Sequence, residues 1–148
     1  LTAPPTDWAR TSCFSTALRR ADRTLSRIYD EALRPTGLTT TQYSLLSLLS
    51  RAPQPPTITE FADAQAMDRT SLTRALAPLV RAGYVTMAVG RDRRAKTIHL
   101  TEAGQAVVAE ARPLWRNAQE RIAAGQGLGR MEHLLEELAE LTSTIRHA

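Results

Sequence analysis

Apolar residues recur at helical spacing along most of this chain and give way to strict alternation only once. Over residues 7–33, Trp8, Phe14, Leu18, Ala21, Leu25, Ile28, Tyr29 and Leu33 keep a three- and four-residue rhythm, which predicts a long helix. Pro35 and Gly37 end it. Thr39 with Gln42 three residues on forms a capping box, and Tyr43, Leu45, Leu46, Leu48 and Leu49 belong to the helix that it starts. Pro53, Pro55 and Pro56 make residues 52–56 a rigid linker. Thr57 and Glu60 form a second capping box ahead of a short helix over residues 58–65. Asp68 is a good N-cap, with Met67 and Leu72 at the two positions of a hydrophobic staple. Leu72, Leu76, Leu79 and Val80 form the apolar stripe of the helix that follows, and Gly83 is suited to the left-handed position beyond its end. Residues 84–89 and 96–100 then read as paired strands. Thr101 caps a helix reaching about residue 124, in which Pro113 predicts a kink or local break. Gly125, Gly127 and Gly129 predict a flexible joint before a last helix striped by Leu128, Met131, Leu134, Leu135, Leu138, Leu141 and Ile145. Residues 1–6, with two prolines, read as an extended arm.

Two helices joined by a short turn, the second polar at its start, followed by a hairpin, define a mainly α fold with a small β-hairpin: a winged helix-turn-helix. Arg69, Thr70, Ser71, Thr73 and Arg74 lie off the apolar stripe of the second helix. The hairpin tip, residues 90–95, holds Arg91, Asp92, Arg93 and Arg94. A charged tip alone is most simply a solvated loop. Here it adjoins a basic helix start, and a helix about 10–12 Å across fits a DNA major groove. Residues 67–96 carry seven Arg/Lys against two Asp, a net charge of +5, whereas the whole chain is +4 and the remainder is therefore −1. The positive charge is concentrated where DNA contact is expected. Arg74 or Arg69 is suited to a bidentate contact with guanine, Arg94 to the minor groove, and Arg91, Arg93 and Lys96 to phosphates. Asp92 is read as orienting a neighbouring wing arginine.

A length of 148 residues and a hydrophobic content of 43% fit one domain with a real core. No run of 18 apolar residues predicts a transmembrane helix, so no membrane partner is expected. The N-terminus has no basic stretch followed by an apolar run, which predicts no secretory leader. A single cysteine suits the cytoplasm. His99, His133 and His147 are scattered without metal-ligand spacing, and neither a glycine-rich phosphate loop nor a nucleophile elbow is present. An enzyme, a metal and a cofactor are accordingly not expected. Glu136, Glu137 and Glu140 read as a solvated helix face.

The run Asp68-Arg69-Thr70-Ser71-Leu72-Thr73-Arg74, the Gly83-Tyr84-Val85 ending, and Asp92-Arg93-Arg94 followed by Leu100-Thr101 and Gly104 resemble the MarR family of bacterial winged helix-turn-helix regulators. The resemblance spans nearly the whole chain. It implies a homodimer built by helices in residues 7–34 and 101–148, around a DNA-binding lobe over residues 39–100. It further implies a repressor on a pseudo-palindromic double-stranded operator, released by a small anionic or phenolic ligand. By segment, Trp8, Arg19, Arg20, Arg23 and Tyr43 are ligand candidates, against the plainer reading of each as a surface or interface residue. One departure stands out: Gln65 and Ala66 occupy the inter-helix turn where such proteins usually carry Leu and Gly.

Some proteins of this kind sense oxidants through a cysteine early in the first helix. Aligned on Tyr29 and the Thr39–Gln42 box, Ser15 falls at the peroxide-reactive position and Cys13 two residues earlier. The plainer reading of Cys13 is a small apolar side chain; the functional one is a redox sensor, with Arg10 one turn back lowering its pKa. Two other classes compete with a ligand-released repressor: a winged-helix protein-interaction module and a non-specific architectural DNA binder. A gel shift with bulk genomic DNA at two salt concentrations separates the first, and sequence preference separates the second.

Overall fold

The computed structural model describes residues 12–89 and 95–145. Six helices and one hairpin follow in order: α1 (Phe14–Leu33), a 3-10 turn (Arg34–Thr36), α2 (Thr40–Leu49), α3 (Ile58–Ala64), α4 (Arg69–Arg81), β1 (Val85–Val89), β2 (Lys96–Leu100), α5 (Glu102–Gln126) and α6 (Leu128–Ile145). The capping chemistry accounts for most of these boundaries. Thr39 and Thr57 each accept from the backbone N–H of the residue three positions on, Gln42 and Glu60, whose side chains reach back to the cap. Each such cap contributes about 1 kcal/mol.

α1 starts later than its periodicity predicts. Ser12 and Cys13 are not helical, and Cys13 is the extended N-cap of a helix beginning at Phe14. Residues 1–11, with the expected arm, lie outside the described residues. α5 runs without a break through Pro113. The missing proline N–H would have bonded to the Ala109 carbonyl, and both residues are exposed, so water can serve that carbonyl instead. The expected three-glycine joint narrows to one residue. Gly125 and Gly129 sit inside helices, and Gly127 alone, at φ +88°, separates α5 from α6.

β1 and β2 pair antiparallel from Val85 with Leu100 to Val89 with Lys96. A third segment joins them: Thr57 bridges Thr97, and the Ile98 N–H donates to the Pro56 carbonyl at 2.8 Å. The proline linker thereby delivers the α3 start to the root of the wing. Phe61 of α3, Leu72, Leu76 and Leu79 of α4, Val85, Ile98 and Leu45 and Leu46 of α2 are all within 2% of full burial. Truncating one of these leucines to alanine would cost about 2–5 kcal/mol. The same core takes in Leu33 of α1 and Val107, Val108 and Ala111 of α5.

α6 buries no residue, and Leu33 is the only buried one in α1. Phe14 (84% exposed), Leu18, Ile28, Leu128, Leu134, Leu135, Leu141 and Ile145 stand open on these two helices. Most of the apolar stripe of α6 is therefore uncovered within the single chain, with only Met131 and Leu138 half-buried.

Candidate nucleic-acid interface

α4 is built to present its first turns to solvent. Leu72, Leu76 and Leu79 anchor one face at 0–1% exposure, and the opposite face is free to be polar. Asp68 fixes the start. Its Oδ1 accepts from the Ser71 N–H at 2.8 Å and its Oδ2 from the Ser71 hydroxyl at 2.5 Å. These bonds, the hydroxyl foremost, hold the Asp68 carboxyl below the usual carboxylate range.

An open groove of about 940 Å³ lies between the start of α3, the first two turns of α4 and the wing root. Arg69, Thr70, Thr73, Arg74 and Lys96 line it together with Thr57, Ile58, Thr59, Met87 and Ala95. Five of the expected DNA-contacting residues therefore converge. Ser71 does not line the groove, and its hydroxyl proton is used on Asp68. The Thr73 hydroxyl donates to the Arg69 carbonyl at 2.8 Å, which leaves it an acceptor and a methyl for any partner. Arg69, Thr70 and Arg74 are exposed, and their side chains make no hydrogen bond or ion pair among the described residues. Two guanidinium forks and an ammonium facing one groove suit an anionic polymer, and a fork also matches the paired acceptors of guanine. Arg91, Asp92, Arg93 and Arg94 lie outside the described residues.

Sequence reasoning missed Thr57, Ile58 and Thr59 as groove residues. The capping box at Thr57 located the helix start but not its neighbour. No local signal marked that neighbour, because the α3 start is tied to the wing through the Pro56 carbonyl and Ile98, far apart in the chain.

Residues 36–95 match the MarR family. M. tuberculosis transcriptional regulator MosR, solved in complex with DNA, is 38% identical, covers 92% of this chain and 98% of its own, and superposes with a TM-score of 0.83. This chain belongs to the MarR family. The transcriptional repressor CouR, solved on a 23-mer DNA duplex, is 27% identical over 87% of this chain and 92% of its own, with a TM-score of 0.78. CouR from Rhodococcus jostii RHA1 bound to p-coumaroyl-CoA shares the fold at 21% identity, 88% and 92% coverage and a TM-score of 0.75. In this MarR-family chain the turn lacking the usual glycine still forms, with Ala66 at φ +51° in its place.

The expected ligand residues are dispersed. Arg20 lines an apolar cleft of about 670 Å³ between α1, α5 and α6, floored by Leu25, Ile28, Ile122 and Leu134 and rimmed also by Arg121 and Arg130. Arg20, Arg23 and Arg27 share a second groove, of about 610 Å³, along α1 with Asp22 and Asp30. Arg19 is exposed and lines neither. Tyr43 is buried in a different place, its ring 5.9 Å from that of Trp115, which stacks at 6.4 Å on Tyr29. The Tyr29 hydroxyl donates to Gln119 Oε1, and burial pushes its pKa up. Trp8 lies outside the described residues.

Cys13 is exposed. Its thiol is held below the ordinary range by hydrogen bonds from Thr16, the side chain first and the backbone next. Sequence reasoning assigned that role to Arg10, which lies outside the described residues. Among the described residues no cluster of three or more His, Cys, Asp or Glu could hold a metal, and no helix is long and apolar enough to cross a membrane.

Proposed function

We propose that this chain is a homodimeric, sequence-specific repressor that binds a pseudo-palindromic DNA operator and is released by a small anionic or phenolic ligand. The observation that carries the reading is the groove holding Arg69, Arg74 and Lys96, with both guanidinium groups unengaged among the described residues. Its relatives MosR and CouR have been solved on DNA. α4 enters the major groove, where Arg74 pairs with guanine and Arg69 and Thr70 read or position nearby. Lys96 takes a phosphate, as do Arg91 and Arg93. Arg94 enters the minor groove, with Asp92 orienting the wing.

Residues 39–100 form the DNA-binding lobe, and residues 7–34 and 101–148 the dimerisation helices. The uncovered apolar side chains of α1 and α6 favour that division, because a folded chain rarely leaves so many large hydrophobes on two helices unpartnered. Arg20 and Arg23 supply charge for the ligand near the α1–α5–α6 cleft. The protein works without catalysis, in the cytoplasm, where its operator is accessible. The lowered Cys13 thiol favours a second reading, release of DNA by oxidation.

The test is selection of genomic fragments bound by the full chain, followed by fluorescence anisotropy on the selected duplex. A symmetric preferred site bound by two chains is the expected result. Binding with no sequence preference would support an architectural protein, and no binding would support a protein-interaction module.

A further inference from the structure

The two residues that end α4 are shared between α4 and α5. The N–H groups of Gly83 and Tyr84 point back to α4 and donate to the Val80 and Leu79 carbonyls, each at 3.0 Å. Their carbonyls point the other way, to the start of α5. The Gly83 carbonyl accepts from the Thr101 hydroxyl at 2.7 Å, and the Tyr84 carbonyl from the Thr101 N–H at 3.0 Å. Thr101 Oγ1 in turn accepts from the Gly104 N–H at 3.0 Å, which caps α5. Gly104 is glycine for a steric reason. A Cβ there would lie 2.2 Å from the Tyr84 carbonyl oxygen and 2.6 Å from Leu100 Cδ1. The first turn of α5 is thus seated against the backbone that terminates α4, with the Thr101 hydroxyl bridging the two and Leu100 beside the contact.

This contact sits at a mechanically sensitive point. α5 has 25 residues, a length of about 37 Å at about 1.5 Å per residue. A tilt of about 5° at its start moves its far end by about 3 Å. That is close to the rise of one base pair, about 3.4 Å.

We propose that Thr101 and Gly104 are positioning residues that set the operator half-site spacing this regulator accepts, by locking the angle between α4 and α5. The proposal rests on the reading of the chain as a dimer on a pseudo-palindromic operator. The Thr101 hydroxyl has two separable duties. It caps α5 as an acceptor, and it ties α5 to α4 as a donor. Only the second sets the angle.

The experiment uses the full chain and a duplex selected by the parent, with versions carrying one base pair inserted or removed between half-sites. The parent is expected to prefer the selected spacing by tenfold or more. Thr101→Val removes both duties, and the preference should fall below threefold while single-base discrimination within a half-site is unchanged. Thr101→Asp keeps an acceptor for the Gly104 N–H but cannot donate to Gly83, so it remains a capped, folded protein and should show the same fall. Thr101→Ser should restore the parental ratio. Gly104→Ala, which must push the Tyr84 carbonyl away, should shift or erase the preferred spacing. A role in stability alone would lower affinity equally for all spacings, and a parental spacing ratio in Thr101→Asp would overturn the proposal. Equal binding of the parent to all spacings would also overturn it and leave sequence-specific binding standing. No binding by the parent to any duplex would sink the underlying reading together with it.

Discussion

Ala66 and Gly83 hold the same position in two consecutive helix endings. In each, the residue beyond the cap is left-handed, Ala66 at φ +51° and Gly83 at φ +76°. Each N–H bonds to the carbonyl three residues back, and the next residue's N–H to the carbonyl five back. The two turns are the same device made with different residues. A Cβ in the left-handed region costs about 1–2 kcal/mol, partly offset by the unfolded-state entropy that glycine adds. Ala66→Gly should therefore stabilise the protein by about 0.5–1 kcal/mol, and Gly83→Ala, which meets no atom within 4 Å, should destabilise it by about 1 kcal/mol. Urea unfolding at one fixed protein concentration measures both. Destabilisation by Ala66→Gly would contradict the strain assigned to that turn.

Arg74 and Lys96 line one groove but should act differently on DNA. Arg74→Ala is expected to cost about 1–3 kcal/mol on the selected operator and to relax preference at one base pair per half-site. Lys96→Ala should weaken binding to all sequences alike and lower the slope of log K against log salt by about one unit per chain. Arg94→Ala is expected to weaken binding across many sequences in the same way. Anisotropy titrations across salt and single-base operator variants separate the two behaviours. Unchanged base preference in Arg74→Ala would pass direct readout to Arg69.

Leu135 and Leu141 are exposed on α6, so a charge at either position costs the single chain little. It would oppose burial of that face against a second copy. Leu135→Glu with Leu141→Glu should convert the dimer to a folded monomer in sedimentation velocity, with unchanged far-UV circular dichroism. A dimer of parental affinity would remove α6 from the interface.

Cys13 should alkylate at lower pH than an ordinary thiol. The folded group is depressed, so it is thiolate, and reactive, at pH values where a free cysteine is still protonated. The half-point of the iodoacetamide rate should lie below that of free cysteine, and Thr16→Val should raise it. Cys13→Ser is expected to bind operator as the parent does and to release it to the same extent under organic hydroperoxide. A parent that releases DNA while Cys13→Ser holds it would favour the redox reading.

Asp68 and Glu60 both have carboxyls lowered by hydrogen bonds, from Ser71 and Thr57 respectively. A depressed carboxyl stabilises the fold above its ordinary pKa of about 4, and that contribution disappears as pH falls through the folded value. Asp68→Asn keeps a cap acceptor but does not titrate. Its unfolding free energy should fall less steeply than the parent's below about pH 4. Parallel slopes would remove Asp68 from the acid response.

What was legible in the chain was local. Thr39 with Gln42, Thr57 with Glu60, and Asp68 each complete their bonds within three residues, so the helix starts could be read without knowing the fold. Gly83 and the strand alternation placed the wing for the same reason. Contacts spanning long loops were not legible. The Thr101 hydroxyl on the Gly83 carbonyl bridges 18 residues. The Pro56 carbonyl that receives Ile98 lies across the whole of α3, α4 and β1. The ligand candidates fared worst, because one helix turn decides which cavity a side chain meets. Tyr43 turned inward to Trp115 while Arg20 and Arg23 stayed on the surface of α1. The start of α1 was also misplaced, since apolar periodicity does not mark a helix start, and Ser12 and Cys13 are not helical.

Leu33, Val107, Val108 and Ala111 share one apolar interior with the helices that carry the groove. Anyone assembling chimaeras from related regulators meets that fact directly. A reading head excised at residues 39–100 would leave behind these four side chains and Leu38, all of which close its own interior, and would expose the leucines that they cover. Crossovers placed in α1 ahead of Leu33 and in α5 beyond Trp115 transfer that interior intact. Exchange of operator preference between such proteins should therefore succeed at those seams and give insoluble products at the apparent boundary beside Leu100.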